Sequence, residues 1–461
     1  MATPSPLRAL LEHALDHVAS YRASVGQRPV APPADLDRMR AALGGALGQA
    51  GIAPAQVIDE LIAGAEPGLV TSTGPRYFGF VTGGALDAAT CADILATGWD
   101  QSAFNAVMSP AGAVVEEIAG GWLKQLLGLP AHASFGLVTG GQAGNTVALA
   151  AARHHVLAAA GWDVERDGLV GAPAIQVVAS AERHATIDRA LRLLGLGTRC
   201  IVEVPALANG AIDPGALAQV IAQRPAGPMI VCLQAGNVNT GACDDLRTAC
   251  GLARARGAWA HVDGAFGLWA AANPATRHLV DGVELADSWS ADGHKWLNVP
   301  YSSGYVFCAH PESHRRSMQL RAAYLQGQDA AAELRSPADS VPESSRRATG
   351  FATWAALREL GRDGVAALVE RCCALARRFA AQLAALDGVA IGNEVVLNQV
   401  LVQFGSDHAT DEVIARVQRD GTCWMGGTTW RGQRYMRIAV SNWSTSPADV
   451  DQSVAAIAAA R

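Results

Sequence analysis

The amino-acid sequence predicts an α/β protein in which a mostly parallel, seven-stranded sheet is flanked by helices. The first observation is a set of seven short apolar runs, each typical of a buried strand, at 135–139, 174–180, 199–204, 228–235, 258–263, 286–290 and 304–309. The second is that amphipathic helical stretches separate the earlier runs, as at 143–160 and 213–223. Near-continuous apolar strands that alternate with helices indicate parallel strands covered on both faces.

The remainder of the chain is predicted to form two further parts and a loop. Residues 1–85 show helical patterns interrupted by Pro and Gly, with Asp35 as the predicted N-cap of one helix. We assign 86–315 to the large α/β domain and 348–461 to a small α+β domain that begins with a long helix. Between them, 316–347 is polar and lacks apolar periodicity, which predicts a long, mobile and functional loop.

Composition and charge disfavour several classes of protein. Half of the residues are apolar and 17% are charged, which is typical of a globular chain. No apolar run is long enough for a membrane span, and Glu12 and Asp16 interrupt the N-terminal apolar stretch, so we expect neither a membrane anchor nor a signal peptide. A net charge of −6 disfavours nucleic acid as a partner. The nine cysteines include no Cys-x-x-Cys spacing, so we expect no metal site, no disulfide framework and a cytoplasmic location.

Lysine is nearly absent from this chain, which makes the two lysines informative. Only Lys124 and Lys295 are present, while arginine supplies the other positive charges. Arginine stays protonated, whereas a desolvated lysine amine can lose its proton and attack a carbonyl carbon to form a Schiff base. Lys124 lies near the end of a helical stretch with an apolar face, where a structural role is expected. Lys295, in "ADGHKWLNVP", is therefore the candidate for covalent chemistry with a carbonyl cofactor.

Three further features follow predicted strands, where open α/β sheets bind ligands. Asp263 ends the run 258–263. The glycine-rich "TGGQAGN" at 139–145 separates a strand from a helix, where backbone N–H groups can bind an anion or simply form a tight turn. His184 follows another strand, although an isolated histidine is often structural. Together with Lys295, these features match pyridoxal 5'-phosphate, which needs an anion site, a carboxylate for the ring nitrogen, a flat partner for the ring and an amine for the aldehyde.

The chain resembles the fold-type I, pyridoxal-phosphate-dependent group II amino acid decarboxylases, which include the glutamate, aromatic amino acid and histidine enzymes. The resemblance extends from "PRYFGFVTGG" at 75–84 to the C-terminus, and its most specific motifs are "HVDGAFGLW" and "ADSWSADGHKW". It implies a fold-type I architecture and decarboxylation of an L-amino acid with pyridoxal 5'-phosphate as the cofactor. It also implies a homodimer with its active sites at the subunit interface, where 75–84 would line the substrate pocket.

The resemblance gives individual positions a role in binding the cofactor. Lys295 and His294 match the pair that holds the aldehyde as an imine. Asp263 matches the partner of the pyridine nitrogen, while His184 and Ala265 match the residues that contact the ring.

Further positions match the phosphate end of the cofactor site. The backbone of Gly141 and Gln142 matches the phosphate cradle, and Ser288 matches a further phosphate ligand. Asn237 occupies a place where many members have threonine near the cofactor. Asp292 lies where some members have asparagine, which leaves its role open.

Two positions match residues that act on the substrate. Tyr324, 29 positions after Lys295, resembles the mobile-loop tyrosine that returns a proton to the product carbanion. Arg437 matches the small-domain arginine that meets the substrate carboxylate. Candidate walls of the substrate pocket, which suggest an apolar or aromatic side chain, are Phe80, Thr82, Phe104 and Met108.

Other functions use the same features and stay open at this point. A carbon–carbon lyase, an aldolase-like enzyme or an aldehyde-forming oxidative decarboxylase could use the same residues, because the bond held perpendicular to the ring selects the reaction. A nucleotide-binding dehydrogenase of doubly wound fold is an alternative from another class. A catalytically inactive binding protein is disfavoured, since Lys295 is retained in a chain almost without lysine.

Overall fold

The computed structural model describes residues 6–31, 35–320 and 335–461. Its N-terminal part is helical, as predicted, with α1 at Pro6–Ser24, α2 at Leu36–Leu43 and α3 at Pro54–Ala65. The predicted N-cap is confirmed, because the Asp35 side chain accepts a hydrogen bond of 3.0 Å from the backbone N–H of Arg38.

A seven-stranded sheet forms the centre of the large domain. The strands are β1 (Ser134–Val138), β2 (Gln176–Ser180), β3 (Ile201–Val204), β4 (Met229–Gln234), β5 (Trp259–Asp263), β6 (Ser288–Asp292) and β7 (Gly304–Cys308). Each predicted apolar run overlaps one of them, with β1 beginning one residue before its run and β6 ending two residues after its run. The order is β1-β7-β6-β5-β4-β2-β3, and only β7 runs antiparallel to its neighbours. The prediction of a mostly parallel sheet is therefore confirmed.

Helices cover this sheet on both faces. The α-helices between residues 86 and 320 are α4 (Asp87–Trp99), α5 (Pro110–Leu126), α6 (Gly141–Ala159), α7 (Val164–Asp167), α8 (Ala185–Leu193), α9 (Pro214–Gln223), α10 (Leu246–Ala255) and α11 (Pro311–Met318). Val177 and Ile230 pack with Leu149 of α6, whereas Val178 and Val231 belong to the main core. Because neighbouring residues of one strand point to opposite faces, these two clusters show a core on each side of the sheet.

The C-terminal part contains a second, antiparallel sheet of order β10-β11-β9-β8. Its strands are β8 (Val389–Ile391), β9 (Gln399–Phe404), β10 (Gly426–Trp430) and β11 (Gln433–Ala439), and its helices are α12 (Gly350–Ala384), α13 (Asp407–Asp420) and α14 (Pro447–Ala459). The predicted long helix is present as α12, and the part as a whole has the predicted α+β composition. Gly361 has a positive φ of 61°, which interrupts the helical backbone of α12 and kinks the helix.

Two further predictions concern the loop 316–347 and membrane-spanning segments. Of the predicted loop 316–347, residues 321–334 lie outside the described residues. Within the described ranges, no helix is both long and apolar enough to cross a membrane. The domain boundaries at 85, 315 and 347 stay predictions.

Candidate active site

A cavity of about 380 Å³ lies at the carboxyl ends of β4, β5 and β6. The N-termini of α6 and α8 open into it, and Arg437 of β11 and Phe80 of the N-terminal region reach it from outside the sheet. The predicted site residues that line this cavity are Phe80, Gly141, Gln142, His184, Asp263, Ala265, His294, Lys295 and Arg437. The topology thus brings together side chains that are far apart in the sequence, as expected for the carboxyl edge of a parallel sheet.

Lys295 lies on a single helical turn, Gly293–Leu297, that directly follows β6. Its Nζ is 3.0 Å from Oδ2 of Asp292, whose side chain is only 2% exposed. The neighbouring His294 donates from Nδ1 to the backbone carbonyl of Ser303 over 3.0 Å. Burial lowers the pKa of His294, so its imidazole is neutral near neutral pH. The amine therefore enters the cavity between a carboxylate and a neutral, fixed imidazole.

A glycine-rich turn forms the wall of the cavity next to Asp292. A Cβ atom at Gly141 would lie 2.9 Å from Asp292 Oδ2, so only glycine allows this close approach. Helix α6 begins at Gly141, which lines the cavity, and the first backbone N–H groups of a helix have no intrahelical partner. Gln142 extends the wall, and its Nε2 donates to the Thr186 carbonyl over 3.3 Å. A helix N-terminus of this kind can bind a phosphate group.

Asp263, at the end of β5, is buried except for 6% of its surface. Its Oδ2 accepts a hydrogen bond of 2.9 Å from Nδ2 of Asn145, and its Oδ1 accepts one of 3.3 Å from the backbone N–H of Ala265. His184 caps α8, and its Nδ1 accepts from the backbone N–H of Thr186 over 3.3 Å. Burial lowers the pKa of His184, against the opposing effect of Asp263. A carboxylate and a neutral imidazole thus face the same cavity.

Arg437 projects from β11 of the small domain into the cavity. Its Nη1 donates to the carbonyl oxygen of Val238 over 3.1 Å. Burial lowers the pKa of Arg437, and no carboxylate pairs with it within the described part of the chain. Its remaining donors are therefore available to an anionic ligand.

Several predicted site residues do not line the cavity. The hydroxyl of Ser288 is fully buried, where it accepts from Nε1 of Trp259 over 2.9 Å and contacts His261. Asn237 is also fully buried and closes a turn, accepting from the backbone N–H of Asn239 over 2.9 Å. Thr82, Phe104 and Met108 lie outside the lining, and Tyr324 is outside the described residues. Ser288 and Asn237 are therefore placed as supports beneath the site rather than as its surface.

Sequence reasoning missed other residues of the cavity, chiefly Asn145 and Thr186. Asn145 is the last residue of "TGGQAGN", one helical turn after Gly141, so the motif itself contained the signal. Thr186 follows His184 by two positions. No pattern in the sequence distinguishes Gln234, Val238 or Phe266, which also line the cavity, from ordinary strand-end and loop residues.

The residues present fit pyridoxal phosphate. The cradle at Gly141 can take a phosphate, the buried carboxylate of Asp263 can meet a protonated ring nitrogen, and Lys295 offers an amine. The fold and the site thus define a pyridoxal-phosphate enzyme of α/β architecture. The chain matches the pyridoxal-dependent decarboxylase conserved domain over residues 47–404, and it belongs to this family.

Relatives of known activity support this assignment. Tryptophan decarboxylase 1 of Oryza sativa subsp. japonica is 28% identical over 95% of this chain and 90% of its own length. The aromatic-L-amino-acid decarboxylase of Bacillus atrophaeus is 26% identical over 77% of this chain and 72% of its own. The crystal structure of Oryza sativa TDC with PLP and tryptamine has a TM-score of 0.91 at 24% identity, covering 99% of this chain and 98% of that one. The chain is a pyridoxal-phosphate-dependent amino acid decarboxylase, as predicted.

Proposed function

We propose that the chain decarboxylates a neutral, apolar or aromatic L-amino acid to the amine and carbon dioxide, as a homodimer in the cytoplasm. The observation that carries the proposal is the cavity itself. It combines an amine, a buried carboxylate and an arginine without an acidic partner in the described residues, and several apolar side chains add to its walls.

Individual residues are proposed to hold the cofactor as follows. Bound pyridoxal phosphate supplies a reactive aldehyde and an electron-accepting ring. The N-terminal backbone of α6 at Gly141 and Gln142 would bind the phosphate. Asp263 would keep the ring nitrogen protonated, and Lys295 would bind the aldehyde. The neutral imidazole of His184 and the small side chain of Ala265 would contact the ring.

Two residues are proposed to act on the substrate. Arg437 would bind the substrate carboxylate, which the unpaired donors of its buried guanidinium support. Tyr324 would donate the proton that replaces carbon dioxide at the α-carbon. The role of Tyr324 is based on its position after Lys295 in the sequence, since it lies outside the described residues.

The preference for a neutral side chain is based on the cavity walls. Phe80, Val81, Val238 and Phe266 contribute apolar surface, and the Phe80 ring stacks on Trp424 with centroids 5.4 Å apart. Arg437 is the only arginine that lines the cavity among the described residues, and its proposed role at the substrate carboxylate leaves no second arginine of this lining for an acidic side chain. The relatives named for tryptophan, tyrosine and aromatic amino acids agree with this preference.

Exposed apolar side chains support the homodimer. Helix α1 has no buried residue, and one face carries Leu7, Leu11, Leu15 and Val18, each more than a third exposed. Phe80 at the mouth of the cavity is 65% exposed, and Val107 and Met108 are exposed as well. A second copy of the chain would cover such surfaces and complete the mouth of the site. Sedimentation analysis of the purified protein should give twice the chain mass, and a monomer would contradict this part of the proposal.

The cytoplasmic location is supported by the cysteines. All nine are free thiols in the structure, and burial raises the pKa of several of them, including Cys250 to about 12. Such thiols persist in a reducing compartment. Activity and protein should appear in the cytosolic fraction of fractionated cells, and recovery outside it would contradict this location.

The substrate proposal is tested with the holoenzyme and a panel of L-amino acids. Carbon dioxide, amine, aldehyde and peroxide are measured together for each amino acid. We expect equal amounts of carbon dioxide and amine, with the highest kcat/KM for an aromatic or large apolar side chain. A preference for glutamate or aspartate would contradict the proposed substrate class. Aldehyde and peroxide as the main products would instead support the aldehyde-forming chemistry for which two relatives are named.

A further inference from the structure

Asp263 is supported from behind by a side chain that the cofactor roles above do not use. Asn145 Nδ2 donates to Asp263 Oδ2 over 2.9 Å, while Thr186 Oγ1 lies 3.4 Å from the same oxygen. Thr186 has one hydroxyl hydrogen, and its oxygen is closer to His184 Nδ1, at 2.8 Å. That nitrogen accepts, because the Thr186 backbone N–H also points to it. The hydroxyl hydrogen therefore goes to His184, and Asn145 is the side-chain donor to Asp263 Oδ2.

Asn145 is itself held in one orientation. It is 1% exposed, and its Oδ1 accepts from Oγ of Ser290 over 2.6 Å and faces Nε2 of His261 at 3.0 Å. An ionised carboxylate only accepts hydrogen bonds, so Asn145 must turn its NH₂ group to Asp263 and its carbonyl oxygen to His261. It follows that Nε2 of His261 carries a hydrogen.

His261 continues the same chain of hydrogen bonds across the sheet. Its Nδ1 lies 3.0 Å from Oγ of Ser288, which accepts from Nε1 of Trp259 over 2.9 Å. Burial lowers the pKa of His261 to about 4, against the opposing effect of Asp263. In the neutral ring with hydrogen on Nε2, Nδ1 accepts from Ser288. All donors thus point in one direction, from Trp259 through Ser288, His261 and Asn145 to Asp263.

A chain of this kind has a consequence for the carboxylate. Hydrogen bonds in series polarise one another, and donors to a carboxylate favour its charged form. They also fix the rotation of the carboxyl group, which leaves Oδ1 with only the long bond from the Ala265 backbone N–H. We propose that Asn145 and His261 are positioning residues, which fix the rotation of the Asp263 carboxyl group so that it can hold the ring nitrogen of pyridoxal phosphate. This inference rests on the proposed role of Asp263.

The test compares two cofactors that differ at one ring atom. The cofactor-free full chain is titrated with pyridoxal phosphate and with 1-deaza-pyridoxal phosphate, which has carbon in place of the ring nitrogen. Asn145→Leu is close in size and removes the donor. We expect it to weaken pyridoxal phosphate binding about 10-fold, as for one hydrogen bond to a charged group, and 1-deaza binding less than about 2-fold. Asn145→Ala, which removes the whole amide group, should show the same selective loss.

A matched control separates this effect from a general loss of packing. Asn398 is another fully buried asparagine, in the small domain, where its Nδ2 donates to the Val440 carbonyl over 2.9 Å. Asn398→Leu should leave the ratio of the two affinities at the wild-type value. Equal weakening of both cofactors by Asn145→Leu, or no weakening, would overturn the proposal. If Asn145→Leu does not unfold cooperatively, the ratio of the two affinities is measured for Asn145→Ala instead, and the same outcomes decide.

Failure of the network and failure of the Asp263 role give different results. Asp263→Asn should weaken pyridoxal phosphate binding selectively, and adding Asn145→Leu should then cost much less than it does alone, because both act through one carboxylate. If Asp263→Asn shows no selectivity for the ring nitrogen, the proposed role of Asp263 is wrong. If Asp263→Asn is selective and the effects of the two substitutions simply add, Asn145 does not act through Asp263.

Discussion

The two buried carboxylates of the cavity differ in their hydrogen-bond partners. Asp263 accepts through both oxygens from Asn145 and the Ala265 backbone. Asp292 contacts Lys295 through Oδ2, but its Oδ1 is buried and has no hydrogen-bond partner among the described residues. Its other polar neighbour is the neutral His294, whose Nδ1 lies 3.7 Å from Oδ1 and donates to Ser303 instead. One carboxylate is thus fixed by the protein, while the other is only partly satisfied.

This difference shows which of the two carboxylates has its hydrogen-bond partners in place before a ligand binds. A buried polar group without a partner costs stability, so it persists where a ligand or a reaction needs it. In the proposed function, Asp263 would keep one contact with the bound cofactor, whereas Asp292 and Lys295 form a pair that a ligand could rearrange. The following experiments test these proposed roles, beginning with the substitution that should lower turnover most.

The largest effect is expected at the amine. Lys295→Ala removes the only amine in the cavity among the described residues, so turnover should fall about 10³-fold or more while the protein still binds pyridoxal phosphate without covalent attachment. Absorbance spectra and steady-state rates check this result. Lys124→Ala is the matched control, since that amine bonds the carbonyls of Ala131 and Ala133 and lies outside the cavity. If Lys124→Ala lost the visible absorbance instead, the assignment of the amine would be wrong.

The second-largest effect is expected at Tyr324, the proposed donor of the proton that the α-carbon receives after carbon dioxide leaves. If the two carboxylates only prepare the site, another group must supply that proton, and Tyr324→Phe should slow amine formation about 10²–10⁴-fold with substrate binding little changed. Carbon dioxide, amine and aldehyde are measured together, and aldehyde should rise as the amine falls. Tyr301→Phe is the comparison, because its exposed ring lies 4.7 Å from that of His294. A larger loss in that variant would assign the proton to Tyr301.

The two carboxylates can be compared directly with isosteric changes. Asp263→Asn keeps a hydrogen-bonding group but removes the charge, so turnover should fall about 10²-fold or more, and more than the affinity for pyridoxal phosphate. Asp292→Asn changes the carboxylate that is only partly satisfied, and its loss should be at least about tenfold smaller. Equal losses in the two variants would contradict the difference between these carboxylates.

A smaller effect, confined to substrate binding, is expected at Arg437. Arg437→Gln removes the unpaired guanidinium, so KM should rise about 10–100-fold, as for the loss of a charge-assisted hydrogen bond. Arg434→Gln is the control from the same strand, since that arginine is paired with Asp411 at 2.7 Å near the surface. A similar KM in the two variants would show that Arg437 does not bind the substrate carboxylate.

The smallest effect concerns the pH dependence of stability. Burial lowers the pKa of His261 in the folded chain, so the unfolded chain binds more protons than the folded one once the pH falls below about 6.5. The stability contributed by neutral His261 is complete above that pH and is lost as the pH falls towards 4. Below pH 6.5, the unfolding free energy of the wild type should fall more steeply than that of His261→Gln, by at most about 1.4 kcal/mol per pH unit. Denaturant titrations of both cofactor-free proteins measure the difference, and parallel curves would contradict a neutral His261.

The sequence predicted the positions of the strands in the large sheet, but it did not predict their order or the direction of β7. Each apolar run became a strand because a strand buried on both faces has a continuous apolar pattern. The antiparallel direction of β7 follows from its short connection to β6 through Gly293–Leu297, which local patterns do not encode. The short strand β8 and the Gly- and Thr-rich β10 were missed because neither has an apolar alternation of useful length.

The candidate site was predicted where its chemistry depends on residue type. Asp263 and Lys295 lie together because one ends and the other follows a strand at the same edge of the large sheet, and Arg437 reaches them from the second sheet. Ser288 and Asn145 show the limit of such reasoning. Ser288 lies at the start of β6, far from the edge where Asp292 ends the strand, and it supports His261 instead. The role of Asn145 depends on contacts across the sheet that only the folded chain reveals.

The most direct test of the account is to identify the residue that binds the cofactor. The holoenzyme is treated with borohydride, which fixes pyridoxal phosphate permanently on the amine that holds it, and the digested protein is mapped by mass spectrometry. With only two lysines in the chain, the result has few alternatives. We predict that the modification is found on the peptide containing Lys295 and is prevented by an excess of substrate. Modification of Lys124, or of neither lysine in an active holoenzyme, would contradict the account.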